Sequence, residues 1–149
     1  METLVDKVRC EIVLRNGLTI NEIANEFLGI KKESPANGKF VEIIFKGCSD
    51  FYFDGEKWQI KKIWRKAQFG IEDFEKEPQS FGVFGFYDED KKIIFVGSAT
   101  NLREKLLSLD MENLYESAVS YIVSLCDDEK AAQDTEQKLI AKHKPILNQ

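Results

Sequence analysis

The sequence predicts an α+β protein built as two units. Three observations carry this. In residues 1–63 apolar positions recur at helical spacing three times before a short strand pair. In residues 81–149 two runs rich in Phe, Val and Ile meet across a tight polar turn, followed by helix, strand and helix. Between them, residues 64–80 change composition and contain Pro78, which suits neither a helix interior nor a central strand, so this stretch is expected to be a connector with one short helix at 71–76.

In the first unit, Leu4, Val8, Ile12 and Val13 mark a helix that Asn16-Gly17 stops. Thr19 reads as the N-cap of a second helix, with Glu22 three residues on completing a capping box. Its stripe is Ile20, Ile23, Ala24, Phe27 and Leu28, and Gly29 ends it. Phe40, Val41, Ile44, Phe45 and Cys48 define a third stripe over about 36–47. Phe51-Tyr52-Phe53 and Trp58-Gln59-Ile60, joined through Asp54-Gly55, read as a hairpin. Three helices and a hairpin resemble a winged helix-turn-helix. The resemblance makes the third helix the recognition helix, with Asn37, Lys39 and Lys46 outward and Lys57, Lys61, Lys62 and Arg65 as cations near the wing. Interspersed Glu33, Glu42 and Glu56 fit an ordinary solvated surface equally well.

In the second unit, Asp88-Glu89-Asp90-Lys91 turns the hairpin and Asn101 caps a helix carrying Leu102, Leu106 and Leu109. Residues 118–123 form a third strand, and Asp127 or Asp128 opens a last helix running to His143. A small three-stranded sheet flanked by helices is expected.

Composition bounds the chemistry. At 149 residues, 43% hydrophobic and 32% charged, the chain can bury a real core and is not disordered. No stretch reaches the roughly 20 apolar residues of a membrane span, and the N-terminus lacks a signal-peptide pattern, so a cytoplasmic protein with no membrane partner is expected. Cys10, Cys48 and Cys126 are too scattered for a disulfide framework or zinc site. Cys126 and the single histidine, His143, form a formal nucleophile pair, although buried apolar thiols are the simpler reading. The net charge of −5 argues against a broad nucleic-acid footprint. Residues 1–78 are nearly balanced, with 13 Lys and Arg against 14 Asp and Glu, whereas residues 79–149 carry 8 against 12.

The order Gly82-Val83-Phe84, then Phe95-Val96-Gly97, then Ala99-Thr100-Asn101-Leu102 resembles the GIY-YIG nuclease family, most closely its UvrC-like branch. The spacing from Glu136 to Asn148 completes the match over residues 81–149. The resemblance implies one Mg²⁺ or Mn²⁺ on Glu136, facing a scissile phosphate of DNA, with Asn148 supporting the site. It also implies tyrosines at 84 and 95, one helping to activate water, and an arginine at 105 to stabilise the phosphate. Here those positions are Phe84, Phe95 and Lys105, and Ser98 replaces a UvrC lysine. Phenylalanine can neither donate nor accept a proton, and lysine lacks the bidentate fork of arginine. Tyr87 points to the opposite strand face from Phe84, and Arg103 lies about 200° around the helix from Lys105.

Glu136 also lies within the inward stripe of Ala132, Leu139, Ile140 and His143, where a carboxylate needs a partner, a solvated cleft or a cation. The expectation is therefore a DNA-associated protein with a degenerate phosphodiesterase site, weak or inactive. The alternatives are an active Mg²⁺- or Mn²⁺-dependent endonuclease of repair or restriction type, and a protein-interaction module with a protein partner.

Overall fold

The structure is a computed structural model that describes residues 3–109 and 115–148. The chain divides into two compact units, Met1–Lys61 and Lys62–Gln149.

The first unit opens with α1 (Leu4–Arg15), which Thr3 caps by accepting from the Asp6 amide. Asn16 adopts a left-handed conformation with φ 55°, and Gly17 follows with φ 108°. A Cβ on Gly17 would meet only the movable ends of the Gln59 and Lys57 side chains, so this turn needs glycine for its φ rather than for space. After the short strand β1 (Leu18–Thr19) comes α2 (Ile20–Leu28). Its capping box is complete: Thr19 Oγ1 accepts from Glu22 N at 3.1 Å, and Glu22 Oε1 accepts from Thr19 N at 2.9 Å. The third helix, α3 (Asn37–Ile44), is shorter than its sequence pattern suggests, and Lys46 and Gly47 lie beyond it.

Strands β2 (Phe51–Phe53) and β3 (Lys57–Ile60) form the hairpin, whose turn is held by Asp54 Oδ1 accepting from the Glu56 and Lys57 amides. With β1 they make an antiparallel sheet of order β1-β3-β2. Val8, Ile12, Leu18, Ile23, Ala24, Val41, Phe45 and Phe51 form its core. Beside it, buried Arg9 bridges Asp6 and Asp50 and lies over the Phe51 ring.

Among the described residues the second unit has four strands where three are expected. Residues 65–68, expected in the connector, form β4 (Arg65–Gln68) and pair antiparallel with β7 (Ser120–Leu125). The short helix α4 (Ile71–Phe74) follows β4 and buries Phe74 completely. The connector is thus part of the second core. Its lysines and acids disguised that: β4 is an edge strand with two exposed positions, so no apolar alternation marks it in sequence. Strands β5 (Gly82–Tyr87) and β6 (Ile93–Ala99) make the expected hairpin, and the sheet order is β4-β7-β5-β6.

Helix α5 (Leu102–Leu107) begins at Asn101, whose side chain accepts from Glu104 N at 3.1 Å. Helix α6 (Glu129–His143) begins at Asp128, and a 3-10 turn, Ile146–Asn148, follows it. One sheet face packs Phe84, Phe86, Tyr121 and Val123 against Phe74, Leu102 and Leu106. The other packs Val83, Ile93 and Val96 against Leu139 and Ile140 of α6. Among the described residues no helix is long and apolar enough to cross a membrane.

Candidate functional site

Strand alternation sorts the motif residues by face. Phe84 pairs across the hairpin with Gly97, and Phe86 with Phe95, so all four lie on the α5 face. Phe84 is 0% exposed, with its ring centroid 6.1 Å from that of half-buried Phe95. A Cβ on Gly97 would sit 2.6 Å from Phe84 Cζ. The glycine of the second motif is therefore the seat on which the aromatic ring of the first motif rests. Val83, Val96 and Ser98 project to the α6 face.

Asn148 is joined to the same strand. Its Oδ1 accepts from Val96 N at 2.8 Å and its Nδ2 donates to Val96 O at 2.9 Å. One carboxamide thus satisfies both outward backbone groups of an edge-strand residue, next to Phe95. Glu136 is half-buried on α6, one turn beyond fully buried Ala132, in the stripe that continues to Leu139 and Ile140. His143, expected in that stripe, is exposed instead, because α6 is ending there.

Lys105 is exposed and lines a cleft of about 360 Å³ where the end of β6 meets α5 and the first turns of α6. Phe84 and Phe95 therefore lie together, as do Asn148 and β6, whereas Lys105 and the helix bearing Glu136 converge at the end of β6. Among the described residues no group of three or more His, Cys, Asp or Glu is arranged to hold a metal ion, leaving Glu136 as a single carboxylate donor. Such a donor set fits Mg²⁺, which retains most of its waters and binds through one or two carboxylates.

The remaining phenols are differently disposed. Tyr87 packs on the α6 face, with Lys66 Nζ 5.9 Å from its ring centroid. Tyr121 is 0% exposed and donates its hydroxyl to Glu77, itself 1% exposed and ion-paired with Arg65. Burial, and then the neighbouring Glu77 carboxylate, push the Tyr121 phenol far above its ordinary range, so it cannot act as a base near neutrality. Tyr115, which sequence reasoning passed over, packs edge-on against both Phe95 and Phe86, with centroids 5.2 and 5.3 Å away. No periodicity signals it, because it lies in a loop between α5 and β7. Arg103 Nε donates to the Glu77 carbonyl at 2.7 Å, tying α5 to the segment after α4. Cys126 is half-buried and burial pushes its thiol up, opposite to what a thiolate nucleophile requires.

In the first unit, Asn37 is not outward. It is 2% exposed, one turn before buried Val41, and its amide donates to Asn21 Oδ1 at 3.2 Å and to the Lys32 carbonyl at 3.1 Å. Phe40, expected in the inner stripe, is 49% exposed, because Val41 and Phe45 set the buried side of α3. Lys39 and Lys46 are exposed, as is Lys61, and Lys57 is half-buried on β3. Lys62 and Arg65 belong to the second unit, where Lys62 pairs with Asp127 and Arg65 with Glu77.

No family model matches the chain. It is 38% identical over 82 residues to the UvrABC system protein C of Dictyoglomus thermophilum, covering 50% of this chain and 13% of that protein. Identity to the protein of the same name from Hydrogenovibrio crunogenus is 34% over 92 residues, covering 56% and 15%. The chain thus spans only a small part of the curated relatives it matches. Among solved structures, the GIY-YIG N-terminal endonuclease domain of UvrC from Thermotoga maritima, bound to magnesium, is 25% identical with a TM-score of 0.48, covering 52% of this chain and 93% of that one. The chain is thus similar to UvrC, and the motif segments Gly82-Val83-Phe84 and Phe95-Val96-Gly97 lie on neighbouring strands of its UvrC-like second unit.

Proposed function

We propose that the second unit binds DNA where β6, α5 and α6 meet, with one Mg²⁺ or Mn²⁺ on Glu136, and that its phosphodiesterase site is degenerate. The observation that carries this is the pair Phe84 and Phe95, the first sealed against Gly97 without room or chemistry for proton transfer. A bound divalent ion would supply charge stabilisation and acidify a water. Loss of a general base alone costs about 10²–10⁴ in rate, and both phenols are missing. Lys105 keeps a positive charge for phosphate but contacts it as a point charge rather than a fork. Asn148 holds the strand that carries Phe95 and Ser98, which makes it a positioning residue.

The test uses purified protein with supercoiled, single-stranded and branched DNA and Mg²⁺ or Mn²⁺, beside Glu136→Ala. The expected result is DNA binding with little or no cleavage. Efficient cleavage that Glu136→Ala abolishes would overturn degeneracy. Tyr115 favours a second reading, an active endonuclease, since its ring lies 5.2 Å from Phe95 and brings a phenol beside the vacated motif position. Under that reading Tyr115→Phe removes the cleavage and leaves DNA affinity unchanged.

For the first unit we infer a winged-helix-like DNA contact through Lys39, Lys46, Lys57 and Lys61. Its order of helix, strand, two helices and two strands in one three-stranded sheet supports this. Phe40 and Ile43, 49% and 67% exposed on α3, favour a protein partner for the same surface. Substituting Lys39 and Lys46 by Ala separates the two, since only the DNA contact loses salt-dependent affinity.

A further inference from the structure

We propose that the cleft beside Lys105 receives an unpaired, amino-bearing nucleobase, so that the DNA recognised at this site is single-stranded or locally unpaired. The inference rests on the DNA-binding reading of the second unit and names its substrate class.

The lining is polar and of mixed sign: Lys105 and Glu104 from α5, Glu129 and Gln133 from α6, and Ser98 and Thr100 from the end of β6. With one lysine against two glutamates, the cleft has charge for a single phosphate at Lys105 but not the net positive charge that a continuous phosphodiester track needs along its path. A neutral base edge suits it better, because such an edge offers donors and acceptors together. Gln133 Nε2 donates to Glu129 Oε1 at 3.3 Å, which sets a carboxamide and a carboxylate side by side at the wall. Carboxylates accept from the cytosine amino group and carboxamides pair with adenine, whereas thymine presents no amino donor. Among the described residues the Ser98 and Thr100 hydroxyls have no hydrogen-bond partner within the protein, so they can meet the polar rim of a base.

A volume of about 360 Å³ is within the range of sites that enclose small organic groups. Lys105 lies on this lining and is also the proposed phosphate contact. A nucleotide with its phosphate at Lys105 could therefore lay its base along Glu129 and Gln133. Base edges in a stacked duplex cannot reach such a cleft without unpairing.

Fluorescence anisotropy tests this on the full chain carrying Lys39→Ala and Lys46→Ala, which remove the DNA contact inferred for the first unit; the variants below are made in that same background. Ca²⁺ replaces Mg²⁺ to suppress any cutting, and the DNAs are short oligodeoxycytidine, oligothymidine and mixed-sequence duplex. These two single strands differ in the amino group while both stack weakly. This parent chain is expected to bind oligodeoxycytidine about fivefold to tenfold more tightly than either oligothymidine or duplex. Gln133→Ala and Glu129→Ala, both at exposed positions of α6, are expected to erase the preference and leave duplex affinity within about twofold. Equal affinity for the three DNAs, or variants that shift all three alike, would overturn the inference while leaving DNA binding by the second unit standing. Failure of the parent chain to bind any of them overturns both.

Discussion

Gly97 shows how a single residue can fix the site. The Cβ of an alanine there would fall 2.6 Å from Phe84 Cζ, on a ring that is completely buried and cannot swing away. Gly97→Ala is expected to destabilise the second unit by about 1–3 kcal/mol, read as a lowered denaturation midpoint in urea. Combining it with Phe84→Leu, which vacates that space, is expected to recover part of the loss. The glycines of the motif are readable in sequence, but why glycine is required is not, because Phe84 and Gly97 meet only through the hairpin register. Asn37 is the opposite case. Its polarity suggests an outward face, yet its amide is consumed inside the unit, and single residues carry no mark of which carbonyl will accept from them. Tyr121 and Glu77 are likewise 44 positions apart in sequence, so their buried pair could not be anticipated.

At the scale of elements, capping was the most legible feature. Thr19, Glu22, Asn101 and Asp128 all take the roles their spacing suggests, because capping is local chemistry completed within three residues. The α2 cap also makes a pH prediction. Hydrogen bonding from the Thr19 backbone, opposed in part by burial, and then contact with Arg15 hold the Glu22 carboxyl below its ordinary range. A carboxyl lowered in the folded state adds stability above its unfolded pKa, and that stability is lost as pH falls through the folded value. Glu22→Gln keeps a capping-box acceptor but loses the charge. At this partly exposed position it is therefore expected to cost about 0.5 kcal/mol at pH 7 and less near pH 3, measured by urea unfolding at both. Asn148 is the corresponding device at the other end of the chain. Asn148→Ala removes both bonds to the Val96 backbone, and the Val96 amide is expected to exchange its hydrogen at least tenfold faster. Fraying there loosens Phe95 and Ser98, so any DNA affinity should fall with it.

For the whole molecule, the boundary of the second unit is the consequential difference between sequence and structure. Composition places the start at 81, since the charged residues 64–80 look like solvent-facing chain. The structure places β4 and α4 within the second sheet and core: Ala67 and Phe69 pack on it, Phe74 is fully buried, and Glu77 accepts the Tyr121 hydroxyl while pairing with Arg65. Removing residues 62–80 would bare one side of β7 and leave a buried phenol without its acceptor, which costs far more than one surface contact. It would also release α5, because Arg103 holds the Glu77 carbonyl and Leu102 N donates to the Ser80 carbonyl. A fragment of residues 62–149 is therefore expected to fold by itself, with dispersed amide resonances and a cooperative melt, because it retains every strand of its sheet. A fragment of residues 81–149 is expected to show neither. If the shorter fragment folds as stably as the longer one, β4, α4 and the Glu77 network are appendages, and the helix bearing Lys105 takes its position from the hairpin alone.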